Sequence, residues 1–174
     1  MSLVDDIKQN QVVLFVISKK DYTEMLLDVI KAVEKASDKV CYVTINRPYN
    51  NILLQLKNNK VNLGKFFFVD AITSTVQTPE QVENCIFVAS PDALTDLSLA
   101  FSQALGKCDI ALFDTMSTLV IYQDIGSVLK FMHNIVTKLR VGNKKGVLIA
   151  LKEDSEELIK DLHMFVDKVV DLTI

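Results

Sequence analysis

Val12–Leu27 reads VVLFVISKKDYTEMLL. An unbroken apolar run rich in β-branched residues, Val12 to Ile17, is what a strand covered on both faces of a parallel sheet requires. From Tyr22 to about Ala36 the spacing changes: Tyr22, Leu26, Val29, Ile30 and Val33 fall on one helical face. Asp21 stands where a helix wants an N-cap, and Glu24 where a capping box places its acid. Strand passes to helix through Ser18, Lys19 and Lys20 without a glycine, and the first glycine of the chain is Gly64. A phosphate loop needs glycines so that successive backbone N–H groups can turn inward around an anion. Neither G-x-x-x-x-G-K-[ST] nor G-x-G-x-x-G is present at this turn.

The strand–helix unit recurs downstream. Strands are expected at Val40–Ile45, Phe66–Val69, Cys85–Ala89, Asp109–Phe113, Gly146–Leu151 and Val166–Leu172. Helices are expected at about Asn51–Asn58, from Ser90-Pro91-Asp92 to Leu105, from Asp124 or Ile125 to Val141, and from Ser155 to about His163. Asn46-Arg47-Pro48-Tyr49 forms a turn, because proline disfavours helix in the residue before it. Ala71–Asn84, rich in Thr, Ser and Gln, reads as a long loop, a recognition surface or a mobile segment. The order of residues 1–11 is left open. Alternation from end to end implies an α/β protein: a single three-layer α/β/α domain on an open, mostly parallel sheet.

Bulk composition agrees. A chain of 174 residues with 49% apolar and 24% charged residues suits one globular domain. A net charge of -3 argues against nucleic-acid binding driven by bulk charge. Cys41, Cys85 and Cys108 lie in or beside apolar runs without C-x-x-C spacing, so free buried thiols and a cytoplasmic location are expected. Residues 1–11 do not read as a signal peptide, and no apolar run has membrane-spanning length.

In an open α/β sheet, ligands sit beyond the carboxyl ends of the strands. Those ends are Ser18-Lys19-Lys20, Asn46-Arg47, Asp70, Asp114-Thr115 and Lys152-Glu153-Asp154, a polar rim. Ser18, Lys19, Lys20, Arg47, Asp70, Asp114 and Thr115 are therefore the candidate ligand-binding residues. Against this, Lys19 and Lys20 also read as solvated charges, and both aspartates as caps of backbone N–H groups. Asp70 and Asp114 end what read as neighbouring strands, so a shared metal site is one alternative. An Arg47 bridge to Asp70 or Asp114 is another. His133 and His163 lack metal-ligand spacing, and His133 is expected to hydrogen bond beside its helix's apolar face. Ser90 and Ser117 lack the G-x-S-x-G elbow of a hydrolase, and Cys85 reads as an inert thiol.

The stretch CDIALFDTMSTLVIY, Cys108–Tyr122, has the shape of a Walker B strand. With KVCYVTINRPYNNILLQLKNNKVNLGKFFFVDAIT, VLKFMHNIVTKLRVGNKKGVLIALKED and FVDKVVDL, it gives an order of pieces that resembles the RecA superfamily. Within that superfamily it resembles the KaiC-like ATPase domains, in particular archaeal relatives without a phosphate loop. The resemblance runs from Val12 to Leu172 and implies a P-loop-NTPase-like topology. It also implies that Asp114 matches the magnesium-holding aspartate, the one position where a Mg site would survive. Asn46 and Arg47 match the family's paired glutamates, one of which activates water. Asn is a poor proton acceptor and Arg has the wrong charge. Expected from this are no catalytic residue, no cofactor, and a protein partner or homo-oligomer. The alternatives are a nucleotide or small-anion binder using Lys19, Lys20, Arg47 and Asp114, and an unrelated flavodoxin-like enzyme.

Overall fold

A computed structural model of the chain describes residues 2–153 and 156–173. Expected rim residue Asp154 and the expected helix start at Ser155 lie outside the described residues. Seven strands form one sheet: β1 (Val12–Ile17), β2 (Val40–Thr44), β3 (Phe66–Asp70), β4 (Cys85–Phe87), β5 (Ile110–Asp114), β6 (Lys145–Leu151) and β7 (Lys168–Asp171). Their order is β4-β3-β2-β5-β6-β1-β7. Every pairing between these strands is parallel. The helices are α1 (Leu3–Gln9), α2 (Tyr22–Ala36), α3 (Tyr49–Asn58), α4 (Leu94–Leu105), α5 (Met116–Tyr122), α6 (Ile125–Val141) and α7 (Glu156–Leu162).

Strand alternation divides the interior into two cores. Val12, Leu14 and Val16 of β1 face α4, α5, α6 and α7 through Phe101, Leu119, Met132 and Leu158. Val13, Phe15 and Ile17 face α1, α2 and α3 through Ile7, Leu26, Ile30 and Ile52. This is the expected three-layer arrangement, and it explains why β1 is buried at every position. No helix among the described residues is long and apolar enough to cross a membrane. The three cysteines are free and buried.

One point left open is filled in, and three expectations need correction. The N-terminal segment forms α1, with a capping box between Ser2 and Asp5. Lys145 Nζ closes the other end of α1, donating to the carbonyls of Ile7, Lys8 and Asn10 at 2.9, 3.0 and 2.8 Å, and Lys168 pairs with buried Asp6 at 2.6 Å. α5 was not anticipated, because its β-branched residues run on from β5 without a break. Its start is set by Thr115, whose side chain accepts from the Thr118 amide. α4 begins at Leu94 rather than at Ser90-Pro91, where a turn closes from the Ala93 amide to the Ser90 carbonyl at 3.2 Å. The Asp21 side chain does not cap α2; its carboxylate instead accepts from Ser18 Oγ at 2.9 Å.

Candidate functional site

Sheet order decides which rim residues meet. β2 lies between β3 and β5, and Thr44 is in register with Asp70 on one side and Asp114 on the other. The two aspartates are thus two strand spacings apart, roughly 9–10 Å. They do not end neighbouring strands, and the structure gives them separate partners.

Asp70 is fully buried. Its carboxylate accepts from the amides of Tyr49, Ile72 and Thr73 at 2.8, 2.7 and 2.9 Å and from the Thr73 hydroxyl. These donors fix the start of α3 and the turn after β3, so every direction in which the carboxylate would receive a cation is occupied by a protein hydrogen. Asp70 acts as a structural acceptor.

Asp114 is also fully buried, but its partners come from distant side chains. The Tyr22 hydroxyl, from the first turn of α2, donates to Oδ1. The Tyr42 hydroxyl, from the middle of β2, donates to Oδ2 at 2.8 Å. Arg47 Nη2 lies 4.0 Å from Oδ2, and its guanidinium stands 5.7 Å from the centre of the Tyr22 ring. Asn46 Nδ2 donates to the Tyr22 oxygen at 3.1 Å, and Arg47 Nη1 donates to Gln55 Oε1 at 2.6 Å. Arg47 Nε and Nη2 are buried without a hydrogen-bond partner. Burial pushes the Asp114 carboxyl above the usual aspartate range, against the pull of the Tyr22 hydroxyl, the Arg47 charge and the Tyr42 hydroxyl. Burial and the neighbouring carboxylate raise both tyrosines in turn.

Thr115, joined to Asp114 by a cis peptide bond, serves α5: its Oγ1 accepts from the Thr118 amide at 3.3 Å. The Ser18–Asp21 turn is closed upon itself. The amides of Asp21 and Tyr22 point back to the carbonyls of Ser18 and Lys19 at 3.2 and 3.4 Å. The Lys19 amide donates to the carboxylate of Glu153, beyond β6, at 3.0 Å. A protein carboxylate therefore already holds an amide that an anion at this turn would need. The Lys19 and Lys20 side chains are exposed.

A hydrated magnesium ion held by Asp114 does not fit these residues. Each Asp114 oxygen accepts from a tyrosine hydroxyl, and the turn after β1 has no glycine. Among the described residues, no group of three or more His, Cys, Asp or Glu side chains is placed to hold a metal ion.

The minor candidates have ordinary roles. Ser117 Oγ accepts from the Leu151 amide at 2.8 Å, and Ser90 bonds Asp92. His133 is exposed and meets the Phe165 ring, centroids 5.2 Å apart, in place of the expected hydrogen bond. The loop after β3 contains a short turn of 3-10 helix, Thr73–Thr75, and borders a cavity of about 380 Å³ lined by Tyr49, Gln77 and Phe87.

Tyr22 and Tyr42 were missed as site residues. The strand register is what reveals Tyr42. Tyr42 pairs with Leu112, two residues before Asp114, so strand alternation places Tyr42 and Asp114 on the same face. That is the face on which α2 packs.

No family model matches the chain, and no curated protein matches it. Solved structures do. The crystal structure of KaiC-like protein PH0186 from Pyrococcus horikoshii OT3 aligns with a TM-score of 0.69 at 12% identity, over 94% of this chain and 74% of that one. The flagellar accessory protein FlaH from Methanocaldococcus jannaschii aligns with a TM-score of 0.55 at 10% identity, over 92% and 69% respectively. The chain shares the α/β fold of these two structures.

Proposed function

We propose that the protein is a non-catalytic RecA/KaiC-like domain, related to the archaeal forms without a phosphate loop, that acts through contact with a protein partner or a second copy in regulation or signalling. One observation carries this: the Asp114 carboxylate is satisfied by Tyr22 and Tyr42 rather than left free for a hydrated cation. Phosphoryl transfer depends on positioned charge around the triphosphate. Here the amides and carboxylate that would supply it are bonded within the protein. Asn46 and Arg47 at the base position support the same reading, since neither accepts a proton from water. Three free thiols support a reducing, cytoplasmic setting.

A second reading has one observation in its favour. Arg47 Nε and Nη2, buried and without hydrogen-bond partners, would welcome a small anion or nucleotide phosphate. Thermal-shift measurements with ATP, ADP and GTP, with and without magnesium, separate the two. A ligand at a hundred times its dissociation constant adds about 2.7 kcal/mol. The expected result is no shift. Stabilisation that is lost in Asp114→Ala or Lys20→Ala overturns the proposal in favour of the binder.

A further inference from the structure

The opposite flank of the molecule carries a furrow that the site above does not use. It runs between α4 and α6. Two hollows of about 470 and 410 Å³ lie along it, separated by a polar saddle. At the saddle, Lys138 Nζ donates to Ser98 O and Oγ at 3.1 and 2.6 Å, and Ser98 Oγ meets Asn134 Oδ1 at 3.1 Å.

The hollows repeat by heptad. On α6 the first is walled by Ser127, Phe131 and Asn134, and the second by Asn134, Lys138 and Val141. Each position advances by seven residues, about 10 Å along a helix axis. That is the spacing of side chains seven apart on a partner helix lying along the furrow. The large apolar side chains exposed on α4 and α6 are Leu99 (64%) and Val141 (85%), and each borders one hollow.

Charge selects the partner. Between Asp124 and Glu153 the chain has no Asp or Glu, while it has Lys130, Lys138, Arg140, Lys144, Lys145 and Lys152. Of these, Lys130, Lys138 and Lys144 line the furrow; Lys138 is turned onto Ser98, and Lys144 onto the Cys108 carbonyl and Asp109, which leaves Lys130 as the exposed charge at the first hollow. The acidic residue of α4, Asp96, borders a separate hollow on the far side of Leu99. In a chain of net charge -3, this is a local reversal of sign.

We infer that the α4/α6 furrow docks an amphipathic helix of a partner protein, with two apolar anchors seven residues apart and acidic residues flanking them. The apolar floor favours a helix over a nucleic-acid backbone, which offers phosphates but nothing to fill the hollows. The inference rests on the reading of the chain as an interaction module, and gives that module a surface and a partner chemistry.

The test uses the whole protein, ¹⁵N-labelled, titrated with a synthetic helix-forming peptide bearing leucines seven apart and glutamates beside them. Expected are amide shifts confined to α4 and α6, binding at least tenfold weaker in Leu99→Asp and in Lys130→Glu, and no change in Leu54→Asp, which alters an exposed residue of α3. A peptide with lysines replacing the glutamates is expected not to bind. The inference is overturned by no shifts at millimolar peptide, or by equal binding of the lysine peptide. Binding unaffected by both furrow variants also overturns it. So do the same shifts produced by an oligonucleotide, or by raising the protein concentration alone. Peptide binding at the furrow together with nucleotide stabilisation removes the non-catalytic reading and leaves the furrow standing. The reverse pair of results removes the furrow alone.

Discussion

Two strands end alike in sequence, FFFVD at Asp70 and IALFD at Asp114, and both carboxylates are fully buried. Their partners differ in kind. Asp70 is held mostly by backbone amides, two of them two and three residues ahead. Asp114 is held by hydroxyls 92 and 72 residues away in sequence. One is a local turn device, whereas the other exists only because the sheet is assembled. An aspartate at the end of an apolar strand therefore carries no fixed meaning until its donors are known.

The largest expected effect tests the local device. Asp70→Ala strands three amides and a hydroxyl, and should lower stability by on the order of 4 kcal/mol in urea unfolding. Asp70→Asn, which keeps an acceptor, should lose clearly less. A small loss from the alanine variant breaks the contrast from the Asp70 side.

Next come the hydroxyls at Asp114. Tyr42→Phe should cost about 2 kcal/mol and Tyr22→Phe about 1 kcal/mol, since both bonds reach a carboxylate but Tyr22 is partly exposed. The double variant should depart from the sum, because the two donors share one acceptor. Additive or negligible losses would mean that Asp114 does not depend on them.

A pH series then sharpens the comparison. The folded Asp114 carboxyl titrates above the unfolded aspartate value near 3.8. Folding therefore favours its protonated form. That contribution is fully present below the unfolded value and is lost as pH rises through the raised folded value. The stability of the wild type minus that of Asp114→Asn should fall with rising pH above about 4, by at most about 1.4 kcal/mol per pH unit. Asp124, Asp167 and Asp171 are held below the usual range by their hydrogen bonds, with Arg140 also acting on Asp167. They act in the opposite sense, with losses below that pH, and cancel in the difference. A difference that is flat above pH 4 would remove Asp114 from the set of buried, titrating groups.

The smallest effect is at the turn itself. Lys20→Ala should change stability by no more than about 0.5 kcal/mol, because the turn is held by Ser18, Asp21 and Glu153 rather than by this exposed side chain.

The fold was legible wherever burial on both faces left an apolar run, as in VVLFVI, or where helical spacing was clean, as in α2 and α6. It was obscured at α5, where Met116–Tyr122 continues the apolar character of β5, and the cap that starts the helix is one threonine. It was obscured again at α1, whose far end is closed by Lys145, well over a hundred residues away. The positions of Asp114 and Arg47 at the rim were readable from strand ends. The tyrosines were not, because their hydroxyls act at a distance that only the strand order β2-β5 and the seating of α2 determine.

That sheet order also bears on how the chain is made. β1 is bounded by β6 and β7 alone, and α1 is fastened by Lys145 and Lys168. During synthesis VVLFVI precedes the other six strands, yet its neighbours β6 and β7 follow more than a hundred residues later. Until they arrive, a six-residue β-prone segment waits unpaired. β1 thus stays without a strand partner while β2 to β5 are made, and becomes an interior strand once β6 and β7 are in place.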